Sequence, residues 1–138
     1  MAEARHVYED SWGEIVARPE LGLVELRWYD TTAAMSADQF QGWLATFAGQ
    51  LEQLREPRVL VDATRFRMDR ANMNDEWRDA HIIPRYNGAG VRRFAFLYPD
   101  GVPLIGSPPG PMGPSIFPTG YFGRRQAALE WLAQGQPA

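Results

Sequence analysis

Few side chains in this sequence are of the types that act as nucleophiles or as general acids and bases in catalysis. The chain has no Cys, and all fourteen of its basic residues are Arg, which excludes thiolate nucleophiles, Lys general bases and Schiff bases. His81 lies four residues after Trp77, and we consider Asp62 and Asp79 as its carboxylate partners in acid–base catalysis. No recognisable triad motif accompanies His81, so the sequence favours a hydrogen-bonded structural histidine.

The acidic residues near His81 also resemble a metal-binding cluster, which comprises Asp75, Glu76, Asp79 and His81. Positions four apart share a helix face, and carboxylates and imidazoles suit divalent metal ions. Helix capping and compensation of the helix dipole explain the same acids without a metal, and no second His lies nearby. We therefore predict no metal ion and no cofactor.

A polar connection after residue 62 carries Arg65, Arg67 and Arg70 ahead of a helical pattern. Guanidinium groups and free backbone N–H groups at a helix start both favour phosphate or carboxylate. Arginines on such a connection are more often solvated, so an anion site remains an alternative here.

The elements that must position these groups surround Pro57–Asp62, a short apolar run typical of a strand buried on both faces. Asp62 and Thr64 follow its carboxyl end, where open α/β sheets gather ligands. Tyr98 and Asp100 leave the predicted neighbouring strand at the same end. This edge is the predicted binding site, with candidate ligand-binding residues Thr64, Arg65, Trp77, Tyr86, Tyr98, Met112, Phe117 and Tyr121.

Periodicity predicts the remaining elements. Strands are expected at 12–18, 23–30 and 91–98, with a last short strand at 115–117 or 119–122. A capping box of Ser36 and Gln39 opens a helix that ends before Pro57, a second helix starts near Asn72, and a third follows Gly123. Residues 1–11 and 134–138 are expected to be loose.

Residues 99–120 hold twelve of the chain's twenty-four Pro and Gly residues, which predicts a long loop. Such a loop is either functional, as a lid or contact loop, or structural filler. We expect 106–114 to be more mobile than the strands and to become ordered on binding.

The chain resembles the SpoIIAA-like branch of the STAS domains in its element order and in two segments. Tyr121–Leu132 is similar to the family's last strand and its helix closing in Ala-x-x-Trp-Leu, and Arg93–Leu97 is similar to its Arg-hydrophobic-Ala-hydrophobic strand. The sequence departs from the family at 62–65, where Asp-Ala-Thr-Arg replaces the phosphorylated Asp-Ser-Ser/Thr-Gly motif. The resemblance implies a binding or regulatory domain rather than a phosphoserine switch.

Length and composition limit the number of domains, the kinds of partner and the cellular location that we expect. The 138 residues predict one α/β domain, residues 1–138, a single layered unit with a mixed sheet of about five strands and three helices. A net charge of -3 and the lack of an apolar run of membrane-spanning length argue against nucleic acid and an integral membrane protein. The absence of Cys favours the cytoplasm.

We therefore expect a non-enzymatic domain that contacts a protein partner or a small apolar molecule near the Pro/Gly loop. The seventeen aromatic residues also allow a homodimer face. The alternative is a small cofactor-independent isomerase or hydrolase that uses His81 with Asp62 or Asp79.

Overall fold

A computed structural model describes residues 4–68, 74–98 and 115–134 and shows one mixed sheet. Its six strands lie in chain order across the sheet: β1 (Arg5–Glu9), β2 (Gly13–Arg18), β3 (Leu23–Trp28), β4 (Arg58–Asp62), β5 (Arg93–Leu97) and β6 (Thr119–Phe122). β1 to β3 are antiparallel, and β3 to β6 are parallel. β4 therefore lies near the centre, as the sequence predicts.

The sheet has six strands because residues 5–9, expected to be loose, form the edge strand β1. This strand pairs with β2, and its Val7 and Tyr8 pack against the core. The register shifts between His6 and Tyr8, which marks a β-bulge. The bulge interrupts the alternation of apolar and polar residues that identifies a strand in a sequence, so the expectation of a loose arm is wrong for 5–9.

The first helix, α1 (Ala37–Leu54), begins at the predicted capping box. The Gln39 amide donates to the Ser36 hydroxyl at 3.1 Å, and the Ser36 amide donates to the Gln39 side chain at 2.9 Å. The helix ends where Arg55 adopts a left-handed conformation, with φ at 54°. Its buried stripe faces the sheet and comprises Phe40, Trp43, Leu44, Phe47, Ala48 and Leu51.

The second predicted helical region is broken into α2 (Asp75–His81) and α3 (Ile83–Gly88). Asn74 caps α2 by accepting from the Trp77 amide at 3.0 Å, whereas Asn72, the predicted cap, lies outside the described residues. Pro84 occupies the first turn of α3, which explains the break because proline cannot continue the preceding helix. The third region is α4 (Arg125–Gln134).

The two faces of the sheet bury different layers. Val59 and Val61 join the larger apolar layer with α1 and α3, whereas Leu60 joins a smaller layer with Ala128 and Leu132 of α4. β4 is therefore buried on both faces, as predicted. None of the helices in the described parts of the chain is long and apolar enough to span a membrane.

Candidate functional site

The carboxyl end of β4 is organised by a local turn. The Asp62 carboxylate accepts from the Thr64 amide at 3.0 Å and from the Thr64 hydroxyl at 2.6 Å, the pattern of an Asx turn. Both groups therefore hold the backbone that leaves the strand. Asp62 and Thr64 therefore stabilise the turn at the edge of the sheet where the sequence predicts a binding site.

Two arginines of the predicted anion site, Arg65 and Arg67, contact other groups of the protein. Arg65 is exposed, lies 3.6 Å from Asp30 and stacks over the Tyr29 ring at 5.8 Å. Arg67 donates to the carbonyls of residues 64 and 66 at 3.1 Å. Arg70 lies outside the described residues, so an anion site remains a prediction.

The predicted catalytic groups do not converge in the described residues. His81 is exposed at the end of α2, and its ring lies on Trp77 with centroids 5.4 Å apart. Asp79 forms an ion pair with Arg78 at 3.3 Å. No carboxylate in the described ranges forms an ion pair with His81, and Asp62 belongs to the turn after β4.

Several predicted ligand-binding aromatics lie in the core. Tyr86, Tyr98 and Phe117 are buried, and burial raises the pKa of Tyr86 well above its ordinary value. Tyr98 stacks on Tyr121 with centroids 6.1 Å apart and 13° between the rings. Tyr121 and Trp77 are half-buried and so present some surface to solvent, while Met112 lies outside the described residues.

An open groove lies on the sheet face that α4 covers, opposite the face covered by α1 and α3. It runs between α4 and the turn at Pro19–Leu21. Its volume is about 320 Å³. Its lining residues are Glu20, Leu21, Leu23, Arg58, Gln126, Leu129, Glu130, Leu132 and Ala133. At 46% exposure, Leu21 is one of two large apolar side chains exposed in the described part of the chain, the other being Ile116. This groove was not predicted, because its walls come from distant parts of the sequence.

Arg58 fixes the geometry of the groove, which we call the α4 groove. Its Nε donates to the Leu132 carbonyl and one terminal nitrogen donates to the Leu21 carbonyl, both at 2.8 Å. Arg58 is only 8% exposed. Its two hydrogen bonds connect the end of α4 to the turn at Pro19–Leu21. Gly22 has a φ of 60°, and a Cβ there would lie 2.8 Å from the Arg58 guanidinium. The left-handed conformation and the close guanidinium therefore favour glycine at this position.

The carboxylates of Glu20 and Glu130 also line the groove. Glu130 accepts a hydrogen bond from Gln126 at 3.1 Å, one helical turn earlier. The Arg58 guanidinium is directed at backbone carbonyls, including one at the negative end of α4. The groove therefore combines an apolar floor with two carboxylates that have no cation paired with them among the described residues.

Comparison of the chain with protein-family models, curated proteins and solved structures finds no significant match in any of the three.

Proposed function

We propose that the chain is a non-enzymatic binding domain of SpoIIAA-like architecture. Its ligand is a segment of a protein partner that inserts an apolar side chain into the α4 groove and places basic side chains beside it. The parallel units β3–α1–β4 and β4–α2–α3–β5, with α4 on the other face, support the architecture. The α4 groove carries the functional part of the proposal.

The size and lining of the groove suit an apolar anchor. A volume of about 320 Å³ is at the small end of the range for ligand pockets, about 300 to 1,000 Å³. Leu21 and Leu129 supply apolar surface at its edge. One or two apolar side chains of a partner would remove this surface from water.

The charges beside the groove select the flanking residues of the partner. Glu20 and Glu130 attract Lys or Arg, whereas acidic flanks would face like charges. Arg58 does not oppose this preference strongly, because it is buried and bonded to carbonyl groups. An apolar residue flanked by basic residues therefore complements the groove in shape and charge.

Binding is favoured over catalysis by the placement of the chemical groups. In the part of the chain that the structure describes, His81 and the carboxylates at 62 and 79 occupy different local arrangements. General acid–base catalysis needs such groups within hydrogen-bond reach of one substrate. A homodimer remains a prediction, which native mass spectrometry would test.

Titration of ¹⁵N-labelled protein with short capped peptides tests the proposal. The probes are Ac-Lys-Leu-Leu-Lys-NH₂, Ac-Glu-Leu-Leu-Glu-NH₂ and Ac-Lys-Ser-Ser-Lys-NH₂, with naphthalene as a small apolar probe. We expect the basic Leu peptide to shift the amide signals of Leu21, Leu129 and Ala133. The acidic peptide should bind at least about tenfold more weakly, and the Ser peptide should not bind measurably.

Leu21→Ser should weaken binding of the basic Leu peptide, and Ile116→Ser is the matched control. Both residues are exposed and apolar, but Ile116, at 78% exposure, is not among the groove residues. Equal binding of the acidic and basic peptides, or an equal effect of both substitutions, would contradict the proposal. Binding of naphthalene alone in the groove would instead identify a small apolar ligand and overturn the protein partner.

A further inference from the structure

Three side chains with metal-binding atoms meet where β1 pairs with β2. One ligand atom each from His6, Glu9 and Glu14 lies within 4.8 Å of the other two. His6 Nδ1 is 2.9 Å from a Glu14 oxygen. This cluster is separate from the α4 groove and from the acidic residues of α2 that the sequence singled out.

The bulge in β1 creates the cluster. His6 pairs with Val16 and Glu9 pairs with Glu14, and alternate residues of β2 share one face of the sheet. His6 and Glu9 are three residues apart, so in a regular strand they would point to opposite faces. The extra residue at the bulge places both beside Glu14, and bulges commonly redirect side chains in this way.

Neighbouring groups orient the two carboxylates. The Tyr29 hydroxyl donates to Glu9 Oε2 at 2.5 Å. Arg27 lies 3.5 Å from Glu14 but only 2.9 Å from Glu25, so its charge is directed mainly away from the cluster.

We infer that His6, Glu9 and Glu14 bind a divalent transition-metal ion of the Zn²⁺ class. An imidazole with two carboxylates suits Zn²⁺ and its neighbours, whereas Mg²⁺ and Ca²⁺ prefer oxygen ligands alone. His6 is 65% exposed, so the remaining coordination positions face water. Tyr29 supplies the outer hydrogen bond that commonly orients a metal-binding carboxylate.

Isothermal titration of untagged protein with ZnCl₂ tests this inference, with MgCl₂ as the comparison. We expect one Zn²⁺ per chain and no measurable Mg²⁺ binding. His6→Ala should abolish binding, and His81→Ala is a matched control because these are the two histidines of the chain. If His6→Ala disturbs folding, Glu9→Gln tests the same site at an exposed residue.

Tyr29→Phe distinguishes a positioning residue from a merely structural one. It should reduce Zn²⁺ affinity about tenfold, with little change in the thermal unfolding of the metal-free protein. The inference is overturned if the wild-type chain binds no Zn²⁺, or if His81→Ala rather than His6→Ala removes the binding.

Discussion

Glu25 is the residue whose charge we expect to matter most for stability. Its side chain is 0% exposed, although charged side chains are almost never fully buried unless they are paired. Arg18 and Arg27 donate to its carboxylate at 3.0 Å and 2.9 Å, and Arg125 contributes two further hydrogen bonds. Arg125 is the first residue of α4, so Glu25 ties the C-terminal helix to the antiparallel half of the sheet.

The free energy of this interaction follows from the pKa of Glu25. Burial alone would raise the pKa, but the hydrogen bonds and charges of Arg125 and Arg27 outweigh it and lower the pKa from 4.5 to about 2. At about 1.4 kcal/mol per pH unit, this difference stabilises the fold by roughly 3 kcal/mol at neutral pH. The stabilisation is present above pH 4.5 and is lost as the pH falls toward 2.

Urea denaturation of the wild type and of Glu25→Gln between pH 7 and pH 2.5 measures the effect. At pH 7 the variant should lose about 3 kcal/mol, the lower end of the range for breaking a buried ion pair, because the three arginines are partly exposed. The difference from wild type should shrink as the pH falls below 4.5.

Glu52→Gln is the matched control, since Glu52 pairs with Arg85 at 2.6 Å on the exposed surface. It should cost less than about 1 kcal/mol. A cost for Glu25→Gln no larger than that of this control, or one that does not change with pH, would refute the reasoning.

Three further predictions concern the helices and the loop. In urea denaturation, Ser36→Ala should cost about 1 kcal/mol and Phe47→Ala about 3 to 5, and equal costs would contradict the observed buried stripe. Arg58→Met should cost about 2 kcal/mol because it leaves the Leu132 and Leu21 carbonyls without their donor, and a neutral effect would contradict that assignment. Replacing 106–114, which lie outside the described residues, by two glycines should preserve cooperative unfolding, and loss of the folded state in circular dichroism would assign them to the core.

The elements with strong local signals could be predicted from the sequence. Ser36 and Gln39 form a capping box through short-range geometry alone, and β4 combines a proline entry with consecutive apolar residues. The strands β2, β3 and β5 begin and end within two residues of their predicted bounds. In each case the signal lies within a few adjacent residues.

The candidate sites could not be predicted, because their geometry depends on distant pairings. Glu25 and Arg125 are 100 residues apart in the sequence, and Arg58 and Leu132 are 74 residues apart. Charged residues at such positions look like solvated surface in a sequence. The cluster at His6 needs a bulge, whose extra residue leaves no periodic signal.

The position of α4 links stability to the proposed binding. The helix buries only Ala128 and Leu132 fully against the sheet, so apolar packing alone gives it a small contact. Arg125 anchors its start through Glu25, while Arg58 and Arg93 donate to the Leu132 and Trp131 carbonyls at its end, each at 2.8 Å. Arg125, Arg58 and Arg93 hold α4 in place, and α4 forms one side of the α4 groove. Substitutions that weaken these contacts should therefore alter the shape of the groove under conditions in which the domain is still folded.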